Sequence, residues 1–323
     1  MIVYHYCSLE TFFSIISNGT LRLSDIAKSN DLLECKALVE KIKCSTLEKL
    51  KRHTSDFNNN LIYGVDNEVA LTLFNNVFFN KLLNDSEKIT LASCFSENGD
   101  LLSQWCQYAD NGNGVAIGFD TDIINEILTS KEADGFLKFE KIKYMSSINE
   151  ELVDIIESYS NNFFTGLHSI IFGGEINHNS QWLIDDQDFG SYLLRCNSKN
   201  LFRDSVFIKN ESFQAEQEWR LLLEDEDLDK DNDNWAECFN WDNGNTGLGK
   251  LFPKGIQFTR KGDNDVCSYI DLSLKDYYSV ITSVVIGPNC KASIDDIFQI
   301  MEHFQFSIHL DNITKSKCPY VHR

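Results

Sequence analysis

The sequence predicts an α+β fold in which a mixed β-sheet packs against helices within a single domain, residues 1–323. Segments rich in β-branched and aromatic residues alternate with segments whose apolar residues repeat at helical spacing. No Gly-, Ser- or Pro-rich linker divides the chain, and all three prolines lie after residue 250. With 42% hydrophobic residues, a chain of 323 residues can bury a substantial core.

The first 25 residues predict a strand, a capped helix and a second strand. Residues 1–6 are β-branched and aromatic, and Ser8 follows them as a helix-capping residue. Apolar residues then repeat at helical spacing as far as Gly19, which is a favoured helix-ending residue. Residues 21–23 predict the second strand.

The remaining elements follow from the same two periodicities. Helical patterns predict a short helix at 103–109, a helical insertion at about 120–205 and a helix that begins at Ser293. Further strands are predicted at 89–95, 115–119, 218–223, 256–259, 267–272, 281–286 and 306–310.

An acidic segment at about 224–245 predicts a solvated loop, because its composition cannot support a core. Asp229, Asp231 and Asp233 have the spacing with which calcium-binding loops begin. The sixth and twelfth positions hold Asn234 and Asn240 rather than Gly and Glu. We therefore favour a loop over a calcium site.

Charge and composition narrow the classes of partner. The chain has 29 Lys and Arg against 49 Asp and Glu, a formal net charge of -20, which disfavours nonspecific binding to nucleic acid or to anionic lipid. We recognise neither a signal peptide nor a membrane-spanning segment. The ten cysteines form no Cys-x-x-Cys pair, so we expect reduced core thiols rather than a structural metal site. We predict a cytoplasmic protein.

Two aromatic clusters carry polar groups of chemical interest. His5 lies in the first strand between Tyr4 and Tyr6, and its side chain points away from both tyrosines. Trp105 and Tyr108 lie at helical spacing before a glycine-rich turn. Such residues are often part of a core, so each cluster leaves a structural and a functional interpretation open.

A third cluster combines carboxylates with an arginine. In Glu216-Gln217-Glu218-Trp219-Arg220, a regular strand would place Glu216, Glu218 and Arg220 on one face. The structural interpretation is a surface ion pair between Glu218 and Arg220. The functional interpretation is a polar site.

These segments together resemble a known bacterial family. The stretches YHYCSLETFF, LRLSDIAKSNDLLE, CFSENGDLLSQWCQYADNGNGVAIGFD, EQEWRLLL, VVIGPNC and KSKCPY occur in this order over nearly the whole chain. They resemble the family known as domain of unknown function 2971. The acidic loop and parts of the helical middle depart from the family pattern.

The order of strand histidine, aromatic residue and late strand glutamate is also similar to the ADP-ribosyltransferase superfamily. This resemblance implies a mixed-sheet core with helical insertions and NAD as substrate. In the branch that uses His, Tyr and Glu, the first-strand histidine binds a ribose, the tyrosine stacks on nicotinamide and the glutamate bonds the nicotinamide ribose. The corresponding residues are His5, Tyr108 or Trp105, and Glu218. Glu216 completes a Glu-x-Glu element similar to that of arginine-modifying members.

The same resemblance implies further contacts to NAD. Arg22 and Ser24 would anchor the phosphates or a ribose, and Tyr6 would contribute beside His5. Arg220 and Lys28 would make the pocket locally positive. Members that modify arginine carry a first-strand arginine where this chain has His5, and the spacing to the aromatic residue also differs from the usual pattern.

The chemistry of NAD cleavage explains why such residues would be needed. Breaking the nicotinamide bond builds an oxocarbenium-like centre on ribose, which a fixed carboxylate stabilises. We therefore expect ADP-ribosyl transfer to a macromolecule or NAD hydrolysis, which would suit a toxin or phage-defence effector. Two alternatives remain: a magnesium-dependent phosphodiesterase or nuclease that uses Asp31, Glu34 and Glu218, and a non-catalytic module that binds a ligand or partner.

Overall fold

The computed structural model describes residues 1–28, 36–55, 72, 75–76, 78–80, 90–133, 135–145, 150–172, 197–198, 200–201, 203–223, 247–261 and 265–321. The chain divides into two compact units. The first comprises 1–30, 88–142 and 213–323, and the second comprises 31–87 and 143–212. The prediction of a single domain with a helical insertion stays a prediction. The acidic segment at about 224–245 lies outside the described residues.

The first unit begins with the strand, helix and strand that the sequence predicts. Strand β1 (Ile2–Cys7) leads into helix α1 (Leu9–Asn18), and strand β2 (Thr20–Asp25) follows. The Ser8 hydroxyl accepts the backbone N–H of Thr11 at 3.1 Å, which caps the helix. Gly19 ends it with φ of 62°, a left-handed conformation that glycine adopts without steric cost.

The remaining elements of the first unit are strands and shorter helices. The strands are β3 (Leu91–Ser96), β4 (Val115–Asp120), β5 (Leu137–Lys141), β8 (Glu218–Leu223), β9 (Ile256–Lys261), β10 (Asp265–Ser273), β11 (Ile281–Ile286) and β12 (Ile313–Lys315). The helices are α3 (Leu102–Tyr108), α4 (Thr121–Leu128), α6 (Gly247–Leu251) and α7 (Ile294–His303).

Ten strands of the described part form one mixed sheet. Its main order is β12-β11-β4-β1-β3-β2-β10-β9, and β8 pairs with both β3 and β5. Neighbouring strands are antiparallel except β11 and β12, which are parallel. The predicted mixed α and β fold is therefore confirmed. An apolar core that includes Phe12, Leu23, Phe95 and Ile117 fills the unit.

The second unit contains two long helices and a small parallel sheet. Helices α2 (Ala37–Ser55) and α5 (Glu150–Phe172) pack on each other around a core that includes Ile42 and Phe163. Strands β6 (Lys143–Met145) and β7 (Ile208–Asn210) pair in parallel. Of the helices described here, none is both long and apolar enough to cross a membrane.

Two sequence predictions fail in detail. Residues 306–310 do not form a strand. The Phe306 N–H donates to the carbonyl oxygen of Met301, a hydrogen bond that closes the turn after α7. The chain joins the sheet only at β12. Residues 137–141 and 143–145 lie in the range predicted to be helical but form strands β5 and β6. Their pairing with distant strands outweighs the local pattern.

Gly114 gives a test of the packing where β1 and β4 meet. A methyl group added there would lie 2.0 Å from the carbonyl oxygen of Cys7, a backbone atom that cannot turn aside. We expect Gly114→Ala to lower the free energy of unfolding by about 3 kcal/mol, measured by urea denaturation.

The matched control is Gly135→Ala. Gly135 is exposed, has φ of 82° and would place its methyl group in open space, so only the backbone conformation is strained. A loss of about 1 kcal/mol is expected there. A loss at Gly114 no larger than that at Gly135 would contradict the close approach of β1 and β4.

Candidate functional site

Strand β3 brings polar side chains from three neighbouring strands onto one face of the sheet. Ser96 pairs with Tyr4 on one side and with Glu218 on the other. Residues paired directly across strands point to the same face, and alternate residues of one strand share it. We call this face of the sheet the polar face. Its polar members include Tyr4, Tyr6, Arg22, Ser24, Cys94, Ser96, Glu218 and Arg220.

His5 points to the opposite face. It follows Tyr4 in a regular strand, and its ring lies edge-on to Phe95 of the apolar core, with ring centroids 5.8 Å apart. Its Nδ1 lies 2.9 Å from the carbonyl oxygen of Cys94, so Nδ1 carries a proton and donates. Burial lowers the pKa of His5 more than this hydrogen bond raises it. The structure therefore does not bring His5 together with Glu218, contrary to expectation.

Glu218 and Arg220 form a buried ion pair at the start of β8. The Arg220 Nε lies 2.7 Å from Glu218 Oε1, and the second contact joins Arg220 Nη2 to Oε2 at 3.3 Å. Their side chains are only 5% and 1% exposed respectively. The expected ion pair is present, but its expected position at the surface is wrong. Strand β8 is not an edge strand, because it pairs with β3 along one edge and with β5 along the other.

Glu216 lies just before β8, in a turn that the end of β3 holds in place. The Ser96 hydroxyl donates to the carbonyl oxygen of Glu216 at 2.7 Å, and the Glu97 N–H donates to that of Gln217 at 3.1 Å. Gln217 has φ of 48°, a left-handed conformation that a non-glycine residue adopts at an energetic cost. This turn interrupts the strand alternation that predicted Glu216 and Glu218 on one face.

Tyr108 and Glu216 meet at this turn. The Tyr108 hydroxyl donates to Glu216 Oε1 at 3.3 Å. Glu216 is only 6% exposed, whereas Tyr108, the last residue of α3, is 39% exposed. The contact joins an accessible aromatic ring to a largely buried carboxylate, but this carboxylate is Glu216, whereas the sequence predicted Glu218 beside the aromatic residue.

Trp105 and Tyr6 are structural residues in this arrangement. The Trp105 side chain is fully buried, and its Nε1 donates to Asp100 Oδ1 at 2.7 Å. Tyr6 packs edge-on against it, with ring centroids 4.8 Å apart. The Tyr6 hydroxyl donates to the carbonyl oxygen of Asn98 at 2.8 Å and accepts the N–H of Leu101 at 2.9 Å. Of the two candidate stacking aromatics, only Tyr108 is accessible.

The predicted cationic residues lie on or near β2 and are paired with carboxylates. The Arg22 Nε lies 3.1 Å from Asp271 Oδ1, and its guanidinium lies 3.6 Å from the centre of the Tyr269 ring. Lys28 lies 3.0 Å from Asp265. Arg22 shares the polar face with Glu218, but two strand spacings, about 10 Å, separate β2 from β8.

Ser24 lies on the polar face beside Arg22, as its pairing with Ala92 requires. Among the described residues, no group of three or more His, Cys, Asp or Glu side chains is arranged to hold a metal ion. Asp31 and Glu34, two of the magnesium ligands in the alternative hypothesis, lie outside the described residues.

Sequence reasoning missed the residues that support the site. Ser96 and Glu97 fix the turn before β8, and Glu97 also accepts the Trp219 Nε1–H at 2.9 Å. Asp100 anchors Trp105. The signal available for Asp100 was its place at the helix entry, where a carboxylate commonly accepts hydrogen bonds. No feature of the sequence around Ser96 indicated that its hydroxyl would hold this turn.

Comparison with known proteins supports one of the two resemblances. Residues 104–221, about a third of the chain, match a family described as protein of unknown function (DUF2971). The matched stretch runs from α3 to β8 and so contains both Tyr108 and Glu216. No curated protein and no solved structure matches the chain. The similarity to ADP-ribosyltransferases stays a prediction.

The buried ion pair gives a stability prediction. Arg220→Met removes the cation and leaves Glu218 buried beside an apolar side chain. We expect a loss of about 3 to 5 kcal/mol in the free energy of unfolding. Denaturant unfolding measures it.

Lys250→Met is the matched control, because Lys250 forms an exposed pair with Glu132 at 3.5 Å in the same unit. Exposed pairs contribute about 0 to 1 kcal/mol. If Arg220→Met and Lys250→Met lower the free energy of unfolding equally, Glu218 and Arg220 do not form a buried pair.

Proposed function

We propose that this protein cleaves the bond between nicotinamide and ribose in NAD, either to transfer ADP-ribose to a macromolecule or to hydrolyse NAD. The hydrogen bond from Tyr108 to Glu216 is the observation that carries the proposal. It puts an exposed aromatic ring beside a carboxylate, the two groups that the resemblance to ADP-ribosyltransferases assigns to nicotinamide and to its ribose.

Tyr108 would hold the nicotinamide ring. An aromatic side chain orients a flat heterocycle by offset stacking and fixes the bond to be broken relative to the carboxylate. Tyr108 retains 39% of its surface for such contact, while its hydroxyl is held by Glu216. Trp105 does not serve this purpose, because it is fully buried.

Glu216 would stabilise the reacting centre. As the glycosidic bond breaks, its electron pair leaves with nicotinamide, and positive charge develops on the ribose C1′. A nearly buried carboxylate stabilises that charge strongly, because little water screens it. The oxygen of water or of an acceptor then bonds to C1′ and loses its proton. This assignment gives Glu216 the role that the sequence analysis gave to Glu218.

Glu218 would act as a positioning residue. Both of its carboxylate oxygens accept hydrogen bonds from Arg220, so its charge is already paired. The pair would fix the start of β8 and the turn that carries Glu216. Arg22 and Ser24, on the same face of the sheet, would anchor a phosphate or ribose. His5 points to the opposite face, so it would not bind the ribose there, contrary to the role that the resemblance implies for the first-strand histidine.

The buried pair of Glu218 and Arg220 also favours a second candidate, a non-catalytic module. In that case the pair serves stability alone, and the polar face binds a ligand or partner without turnover. Nicotinamide release separates the two candidates. The magnesium-dependent alternative has no comparable support among the described residues.

The cellular role remains part of the proposal. A protein that consumes NAD would suit a cytoplasmic toxin or a phage-defence effector, by analogy with other chemistry that destroys a shared cofactor.

Glu216→Gln tests the assignment directly. The amide keeps the size of the side chain and can still accept from Tyr108, but it removes the charge. We expect nicotinamide release to fall about a hundredfold or more, while NAD affinity changes only a few-fold. Chromatography measures release, and calorimetry measures affinity.

Two further variants complete the test. Glu211→Gln alters an exposed glutamate at the start of the same 3₁₀ segment and should leave turnover unchanged. Glu218→Gln should lower the melting temperature, because the amide offers Arg220 a hydrogen bond without the negative charge of Glu218. Wild-type protein that releases no nicotinamide, with or without cell lysate, would refute the proposed function. Undiminished turnover in Glu216→Gln would instead remove this residue from the site.

A further inference from the structure

The C-terminal segment, residues 313–321, is tied to the entry of α3 by Asp100. The Asp100 carboxylate accepts the hydroxyl of Ser316 and the backbone N–H of Lys317, the latter at 2.7 Å. It also accepts Trp105 Nε1–H. The Ser316 N–H in turn donates to the carbonyl oxygen of Ile286 in β11 at 2.8 Å. These bonds fix the path of the segment past α3.

This path places Cys318 near Cys106 of α3. Cys318 packs against a buried cluster that contains Trp105 and Ala109, which lie one residue before and three residues after Cys106. A hydrogen bond between the Tyr320 side chain and Cys106 raises the pKa of Tyr320. Cys318 therefore lies beside the cluster that includes Trp105 of α3, and Tyr320, two residues further on, contacts Cys106 of the same helix. Neither Cys106 nor Cys318 forms a disulfide in this structure, and both are partly exposed.

We propose that Cys106 and Cys318 form a reversible disulfide that links the C-terminal segment to α3 covalently when a hydroperoxide is present. One thiolate attacks a peroxide oxygen and gives a sulfenic acid, and hydrogen peroxide leaves one oxygen as water. The second thiol attacks the sulfenic sulfur, forms the S–S bond and releases a second water. Overall, two thiols and one hydrogen peroxide give one disulfide and two waters.

The environment of Cys318 sets the pH dependence of this reaction. Burial raises the pKa of Cys318, and its proximity to Asp100 and Cys106 raises it further. The thiolate is the reactive form, so the disulfide should form faster as the pH rises. The segment stays reduced more readily at acidic pH.

The disulfide would join parts of the chain that are far apart in sequence. It would close the loop between α3 and the C-terminal segment, which restricts the unfolded chain and raises stability. It would also fix α3 two residues before Tyr108. The proposal nevertheless does not depend on NAD cleavage, because it concerns only the two thiols and their neighbours.

Peptide mapping of the full chain tests the proposal. The protein is treated with hydrogen peroxide, the remaining thiols are alkylated in denaturant, and the digest is examined by mass spectrometry. We expect a peptide pair joined through Cys106 and Cys318, lighter than the two thiol peptides by two hydrogen atoms and separated again by reductant. Its yield should increase between pH 6 and pH 9.

Single variants provide the control. Cys106→Ser and Cys318→Ser should each abolish the joined pair, whereas Cys44→Ser, which alters an exposed cysteine in the second unit, should leave its yield unchanged. Recovery of both cysteines in alkylated form after peroxide treatment would overturn the proposal. So would sulfinic acid or pairing with other cysteines in place of this disulfide. The wild-type map decides the matter even if a variant fails to fold.

Discussion

The pairing of β3 with three other strands is the constraint on which the candidate site depends. Ser96 lies between Tyr4 of β1 and Glu218 of β8, and Ala92 lies beside Ser24 of β2. This register decides which side chains share the polar face. The hydroxyl of Ser96 then holds the carbonyl oxygen of Glu216, so the same strand that aligns the sheet also positions the turn before β8.

Features governed by neighbouring residues could be predicted from the sequence. The Ser8 cap, the left-handed Gly19 and the strand over 218–223 each depend on a few adjacent positions, and the structure has all three. The ion pair of Glu218 with Arg220 belongs to the same class, because residues two apart in a strand share a face. The alternation of His5 with its flanking tyrosines was also correct, since strand geometry alone requires it.

Features governed by distant residues could not be predicted. Alternation separates His5 from the tyrosines, but only the register of β1 with β3 shows that the tyrosines share a face with Glu218. The central place of β8 in the sheet depends on its pairing with β5, a strand in a range that the sequence predicted to be helical. Gln217 adopts its left-handed conformation because Ser96 and Glu97 bind the peptide groups around it, and this turn directs Glu216 to Tyr108.

The central claim is that Tyr108 and Glu216 act together on NAD. A double-mutant cycle of nicotinamide release with Tyr108→Leu, which removes the aromatic ring, Glu216→Gln and the double variant measures this coupling. The account predicts that the loss in the double variant is clearly smaller than the product of the two single losses, because the ring orients the bond whose cleavage the carboxylate assists, so neither group is effective without the other. Single losses that simply multiply, or wild-type protein without NAD-cleaving activity, would contradict it.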